Sequence, residues 1–315
     1  MTTTRTTITF DSHGTGCDAW YFRNDDASVF DSPAGRPVVV MAHGFAGTKD
    51  SGLEPYAQGL ADAGLAVLAF DYRGFGLSGG EPRQRISMTG QADDYRAAID
   101  AAKRQEGVDP NRVILWGVSQ SGGHALIVAA DRTDICAVIS VVPLVNGLAA
   151  GVHHYPQVGA GAMARSTVAG IGSAIAAKMG RPPTMMPVVG RPGEKAALTS
   201  PGFYEDYLAL AGPSWRNEVD ASIGLELGSF RADKIARAVS APVLMQIADF
   251  DQGAPPHAAA KAGFRARAEV RHYPCDHFDI FAGKDWFEPA LAHQVSFLTA
   301  HLAPAAEKAA TGGAS

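Results

Sequence analysis

Three residue types able to attack a carbonyl and relay a proton follow one another along this chain. Ser119 comes first, then Asp249 and Asp251, then His277. Ser119 sits in Gly117-Val118-Ser119-Gln120-Ser121-Gly122-Gly123, between the apolar run Val113-Ile114-Leu115-Trp116 and a helical pattern at 124–130. Small residues around a serine at a strand-to-helix junction permit a sharp, strained corner that presents the hydroxyl. A serine hydroxyl is a weak nucleophile until a neighbouring base accepts its proton. A histidine is suited to that role near neutral pH, and a carboxylate orients the ring and stabilises the imidazolium. The shifted register Ser119-x-Ser121-x-Gly123 would make Ser121 the nucleophile instead. It is the weaker reading, because its first small position is a serine.

These residues need a frame that holds them at one edge. Residues 6–10 and 17–22 alternate as two antiparallel strands. Residues 38–42 form a continuous apolar run ending in His43-Gly44, the pattern of a strand buried on both faces. A helix at 53–63 follows, with Leu53, Tyr56, Ala57 and Leu60 on one side. A second buried strand at 65–70 is closed by Asp71-Tyr72-Arg73-Gly74-Phe75-Gly76. A helix at 90–105 precedes the strand leading to Ser119, and another strand occupies 135–142. Such alternation predicts a mostly parallel sheet with helices on both faces. From 144 to 238 no clear strand is visible, and helical stretches appear at 164–179, 201–211 and 231–239. A structureless loop of that length is improbable in a compact domain, so the segment is read as an inserted helical cap. The sheet resumes at 242–248, followed by a helix at 256–264, a strand at 269–273 and a helix at 286–301. The expected division is a core of 1–143 and 239–303, a cap of 144–238 and a flexible tail of 304–315. In open parallel sheets the working groups collect on loops at the carboxyl ends of strands, where Ser119, Asp249, Asp251 and His277 all fall.

With these residues in view, the chain resembles an α/β-hydrolase. The order Ser…Asp…His and the Gly117-x-Ser119-x-Ser121 corner carry the likeness. Asp71-x-Arg73-Gly74-x-Gly76-x-Ser78 and Trp116-Gly117-x-Ser119 resemble bacterial hydrolases related to the X-Pro dipeptidyl-peptidase and dienelactone-hydrolase branches. The resemblance covers about 36–143 and 240–303 and departs where Ser121 replaces the last glycine of G-x-S-x-G. It implies the α/β-hydrolase fold and a triad of Ser119, Asp251 and His277. Ala248-x-x-Asp251-x-x-x-Pro255 resembles the Gly-x-x-Asp-x-x-x-Pro segment of the family, which favours Asp251 over Asp249. It also implies an oxyanion hole formed by the backbone N–H groups of Gln120 and Phe45, with His43-Gly44 shaping the second loop. The Gln120 side chain is left open between the pocket and the interior.

The expected function is therefore a serine hydrolase that cleaves a carboxylic ester or thioester, or a small amide, through an acyl-enzyme on Ser119. Perhydrolysis, carbon–carbon cleavage or lyase chemistry would use the same triad, and a ligand-binding protein on a hydrolase scaffold is a third class. An epoxide hydrolase or haloalkane dehalogenase would carry an acidic nucleophile in place of Ser119. No cofactor is called for, since Gly74-x-Gly76 and Gly79-Gly80 do not form the dinucleotide fingerprint. No metal is expected either: His153-His154-Tyr155 are adjacent, point in different directions and lack a third ligand. Phe203, Tyr204, Tyr207, Trp215, Met163, Met185 and Met186 either line an acyl pocket or pack the cap's own interior.

Composition narrows the partners. A net charge of −5 without a basic run favours neither nucleic acid nor an anionic membrane. The three cysteines are far apart and form neither a disulfide framework nor a zinc motif. The amino-terminal residues lack the apolar core of a signal peptide, so a cytoplasmic location is expected. The partner implied is a small-molecule acyl substrate. Oligomeric state stays open, a homodimer being one option.

Overall fold

Strands β1 (Thr4–Ser12) and β2 (Thr15–Arg23) pair antiparallel across His13 and Gly14 in the computed structural model, which describes residues 3–303. Both turn residues have positive φ, 50° and 79°, which matches the strand twist of a two-residue hairpin. Side chains at 155–160, 162–166 and 178 lie outside the described set, as does the expected tail at 304–315.

The central strands are β3 (Arg36–Ala42), β4 (Ala66–Phe70), β5 (Val108–Val118) and β6 (Ile135–Val141). Helix α1 (Glu54–Asp62) joins β3 to β4, α2 (Met88–Ala102) joins β4 to β5, and α3 (Gln120–Ala130) joins β5 to β6. After β6 the chain forms α4 (Gly147–Lys178), then β7 (Met185–Met186), α5 (Phe203–Leu210), β8 (Val219–Asp220), α6 (Ile223–Ser229) and α7 (Ala232–Ile235). It returns as β9 (Val243–Ala248), α8 (Pro256–Ala266), β10 (Glu269–Tyr273) and α9 (Phe287–Leu302). The sheet order is β1-β2-β4-β3-β5-β6-β9-β10, parallel from β4 onward. Every residue of β4 and β9 is buried, as continuous apolar strands between two helical layers should be. Helices α1 and α9 pack together on one face, and α2, α3 and α8 cover the other.

The chain leaves β3 toward β4 and then returns to β5 on the opposite side of β3. The carboxyl ends of β3 and β5 are thus a topological switch point, the usual place for a site in such sheets. Buried side chains fix these two strand ends. The Tyr95 hydroxyl reaches the Trp116 carbonyl at 2.5 Å, and the Trp116 indole N–H donates to Gln294 Oε1 at 2.9 Å.

The segment between β6 and β9 differs from its sequence pattern in three ways. Helix α4 starts at Gly147, well before residue 164; frequent glycines and Pro156 obscure its first half in the sequence. Strands β7 and β8 pair antiparallel, and two residues each are too few to show alternation. Helix α7, within the stretch read as cap, packs against α3 and α8 in the main helical layer. Its Ala232 is fully buried there, and the Asp233 N–H donates to the Val145 carbonyl at 2.9 Å. Among the described residues, no helix is long and apolar enough to cross a membrane.

Candidate active site

Ser119 occupies the corner between β5 and α3 at φ 58° and ψ −120°. A non-glycine residue there is strained by about 1–3 kcal/mol and persists only if its surroundings enforce it. They do so from both sides: the Ser119 N–H donates to the Val141 carbonyl at 2.8 Å, and its carbonyl accepts from the Leu144 N–H at 2.9 Å. Gly117 is required by contact, since a Cβ there would lie 2.1 Å from the Ser121 carbonyl oxygen. Ser121 itself is fully buried. Its Oγ accepts the Val118 N–H at 2.8 Å and lies 2.7 Å from the Ala42 carbonyl. That hydroxyl ties β5 to β3 and is withheld from the cavity, which leaves Ser119 as the serine of the pair that lines it.

Asp251 and His277 meet across the loops after β9 and β10. His277 Nδ1 lies 2.7 Å from Asp251 Oδ2, and both side chains are buried. The other carboxylate oxygen of Asp251 accepts the N–H groups of Gly253 and Ala254 at 2.7 and 2.6 Å, which fixes the carboxylate's orientation. Asp276 binds the two loops together: its Oδ1 accepts the His277 N–H at 2.7 Å and the Gln252 N–H at 2.8 Å. Burial alone would lower the pKa of His277, but the Asp251 charge and hydrogen bond, with Asp276, hold it above the usual histidine value. With Nδ1–H committed to Asp251, the lone pair of the neutral ring resides on Nε2. Asp249 instead pairs with His272 at 2.6 Å, both well exposed and away from this site.

Loop 43–51 after β3 faces Ser119. Gly44 is pressed against the corner, since a Cβ on it would meet Ser119 Cβ at 3.0 Å and the Val118 carbonyl at 3.2 Å. His43 is buried, and burial pushes its pKa down. The neutral ring donates from Nδ1 to the Gly44 carbonyl at 3.0 Å. Because a trans peptide sets N–H and C=O on opposite sides, this bond directs the Phe45 N–H the other way. Neither that N–H nor the Gln120 N–H, at the first turn of α3, has a hydrogen-bond partner among the described residues. The Lys49 ammonium, buried between Asp71 (2.7 Å) and Asp18 (2.5 Å), anchors the far end of the loop. The Gln120 side chain turns inward, 2.5 Å from Gln91 Oε1 and 3.4 Å from His124 Nε2. Burial, with help from His43 and Arg96, pushes His124 down to about 3.

Ser119 and His277 line one cavity of about 1490 Å³ with Phe45 and Gly44. Of the aromatic and methionine residues singled out in the sequence, Phe203, Tyr207, Met185 and Met186 border it. Tyr204 lies under the Arg191 guanidinium at 4.3 Å, and Trp215 stacks on Tyr207 at 5.0 Å. Met163 falls outside the described side chains. Two histidines prove to be placed at the site by a contact that no sequence pattern signals. His153 Nε2 lies 3.0 Å from the Asp251 carbonyl, and His154 Nε2 lies 3.2 Å from the Gly253 carbonyl. Helix α4 is thereby fastened to the loop that carries the acid.

A half-buried serine on a strained strand-to-helix corner, lining a cavity with the histidine of a buried His–Asp pair, defines a class. The chain belongs to the α/β-hydrolase family, and residues 37–284 match the family model for the α/β hydrolase fold. It is 34% identical over 294 residues to the quorum-quenching protein AidA of Acinetobacter baumannii, covering 92% of this chain and 93% of that one. The thiohydrolase aneE of Aspergillus aculeatus is 33% identical over 177 residues, 55% of each chain. Among solved structures, the α/β hydrolase GrgF from Penicillium superposes with a TM-score of 0.78 at 22% identity. That match spans 96% of this chain and all of the other. The fold is therefore that of an α/β-hydrolase, and the protein is a hydrolase by family.

Proposed function

We propose that this protein is a serine hydrolase that cleaves a carboxylic ester or thioester carrying a sizeable apolar acyl group. The observation that carries the reading is the buried Asp251–His277 pair, 2.7 Å apart, on the cavity that exposes Ser119. In this reading His277 Nε2 takes the Ser119 proton as Oγ attacks the acyl carbonyl. The negative oxygen that forms is met by the Phe45 and Gln120 N–H groups, and the dipole of α3 adds to the stabilisation. His277 then returns the proton to the departing alcohol or thiol, leaving an acyl-enzyme. A water, deprotonated by the same nitrogen, attacks the acyl-enzyme, and collapse releases the carboxylic acid and restores Ser119.

The acyl preference follows from the cavity. Its volume exceeds the roughly 300–1,000 Å³ common for small-ligand sites, and Phe203, Phe278 and Met186 give it apolar walls. The quorum-quenching role of the relative matched along nearly the whole chain supports quorum quenching as the setting. The thiohydrolase relative supports the thioester option.

A panel of p-nitrophenyl esters and matched thioesters, from acetyl to palmitoyl, tests the reading. Turnover is expected to rise from acetyl to the longer chains and to vanish in Ser119→Ala. Hydrolysis of no member above the Ser119→Ala background would contradict it.

A further inference from the structure

We propose that Tyr207 and Trp215 are positioning residues that hold the oxyanion loop in its working turn. The proposal rests on the assignment of Ser119 as nucleophile and the Phe45 N–H as oxyanion donor. The loop Gly44-Phe45-Ala46-Gly47 is closed by the Gly47 N–H donating to the Gly44 carbonyl at 3.2 Å. Ala46, its third residue, has φ 48°, whereas Phe45 is not at positive φ. Those signs define a type II turn, in which the third position calls for glycine. With alanine there, the chain's own preference is the type I form, reached by rotating the peptide between Phe45 and Ala46.

Something outside the loop must oppose that rotation, and the insertion supplies it. The Tyr207 hydroxyl donates to the Phe45 carbonyl at 2.6 Å, the carbonyl of the peptide that would flip. The Trp215 indole N–H donates to the next carbonyl, that of Ala46, at 3.0 Å. The two rings stack 5.0 Å apart, so each holds the other in place. Nearby backbone contacts moor the same segment: the Gly212 N–H reaches Ser51 Oγ at 3.2 Å, and the Ser214 N–H reaches Asp50 Oδ2 at 2.9 Å. With His43 on the Gly44 carbonyl, three successive carbonyls of the loop have donors, and all are directed into the protein's own contacts. The Phe45 N–H belongs to the peptide before the one that would rotate, and the two share the Phe45 α-carbon. Relaxation of the turn therefore acts on the donor by displacing it, a costly shift even at a fraction of an ångström. The fraction of molecules holding the turn sets the fraction with the donor in place. Loss of one holding bond therefore lowers kcat without removing a substrate contact.

The test is steady-state ester hydrolysis by Tyr207→Phe, Trp215→Phe and the double variant Tyr207→Phe/Ala46→Gly. Tyr207→Phe keeps the ring and its stacking and loses only the hydroxyl. Both single variants are expected to lower kcat by about tenfold, the population shift that loss of one hydrogen bond allows, with KM changed far less. A trifluoromethyl ketone, which forms the tetrahedral adduct reversibly, should bind more weakly in proportion. Glycine at 46 favours the type II form by itself, so the double variant should recover most of the lost kcat. A purely structural role would lower thermal stability and leave kcat per folded molecule unchanged, with no recovery from Ala46→Gly; that result overturns the proposal. An effect confined to KM also overturns it, because it would mark Tyr207 as a substrate contact. A wild-type protein that turns over no ester removes the underlying assignment as well. An active wild type with an unaffected Tyr207→Phe removes only this proposal.

Discussion

Gly44 lies against Ser119 so closely that a methyl group on its α-carbon would approach Ser119 Cβ to 3.0 Å. The contact joins the ends of two neighbouring strands: Ala42 of β3 is in register with Gly117 of β5. Gly44 and the strained Ser119, each two residues beyond that registered pair, are therefore brought face to face by sheet geometry.

Gly44→Ala tests what that closeness is for. The added carbon also meets the Val118 carbonyl at 3.2 Å, so the loop or the corner must move by a few tenths of an ångström. Small displacements at a reacting centre are costly, up to about a hundredfold for a 1 Å shift. The expected outcome is a fall in kcat/KM of about tenfold or more, with only a modest drop in melting temperature. Unchanged ester turnover would show that the approach has no catalytic consequence.

Ser121→Ala separates the two serines by a different readout. The substitution leaves the buried Val118 N–H without its side-chain acceptor, now at 2.8 Å. An unsatisfied buried donor costs about 1–3 kcal/mol, and denaturant unfolding should show a loss of that size. The folded variant should still react with a fluorophosphonate at Ser119. Loss of labelling in a folded Ser121→Ala protein would reopen the choice of nucleophile.

The pH profile follows from the His277 environment. Asp251 and Asp276 hold its pKa above the usual value despite burial, and the base is active only when neutral. The ascending limb of kcat/KM should therefore have an apparent pKa above about 6.5, the ordinary histidine value. Asp251→Asn removes the main opposing charge and should move that limb to lower pH while cutting kcat severely. The sign for stability is opposite. A raised folded pKa means the fold binds the proton more tightly than the unfolded chain does. The pair's contribution is thus fully present below about pH 6.5 and is lost as pH rises through the folded pKa. Melting temperatures of wild type and His277→Gln across that range measure this directly.

The sequence carries the sheet well because its strands are short apolar runs flanked by glycine, proline or charge, a pattern set by burial on both faces. It also places Ser119, Asp251 and His277 on loops that follow β5, β9 and β10, and the structure brings the acid to hydrogen-bond distance of the ring. Asp249 and Asp251 could be separated only by spacing, whereas the structure separates them by contact: Asp249 pairs with His272 at the surface. The insertion is far less legible. Tyr207 and Phe45 are 162 residues apart, and His153 and Asp251 are 98 apart. Contacts between a helix of an insertion and a loop of the sheet leave no periodicity to read. The inward turn of the Gln120 side chain toward Gln91 and His124 is hidden for the same reason.

The central claim is that Ser119 is the nucleophile. Incubation with a fluorophosphonate, followed by intact mass and peptide mapping, addresses it most directly. The account predicts one covalent adduct per chain, located on Ser119, abolished by Ser119→Ala and strongly slowed by His277→Gln. An adduct on another residue, or none under conditions that preserve the fold, would contradict it.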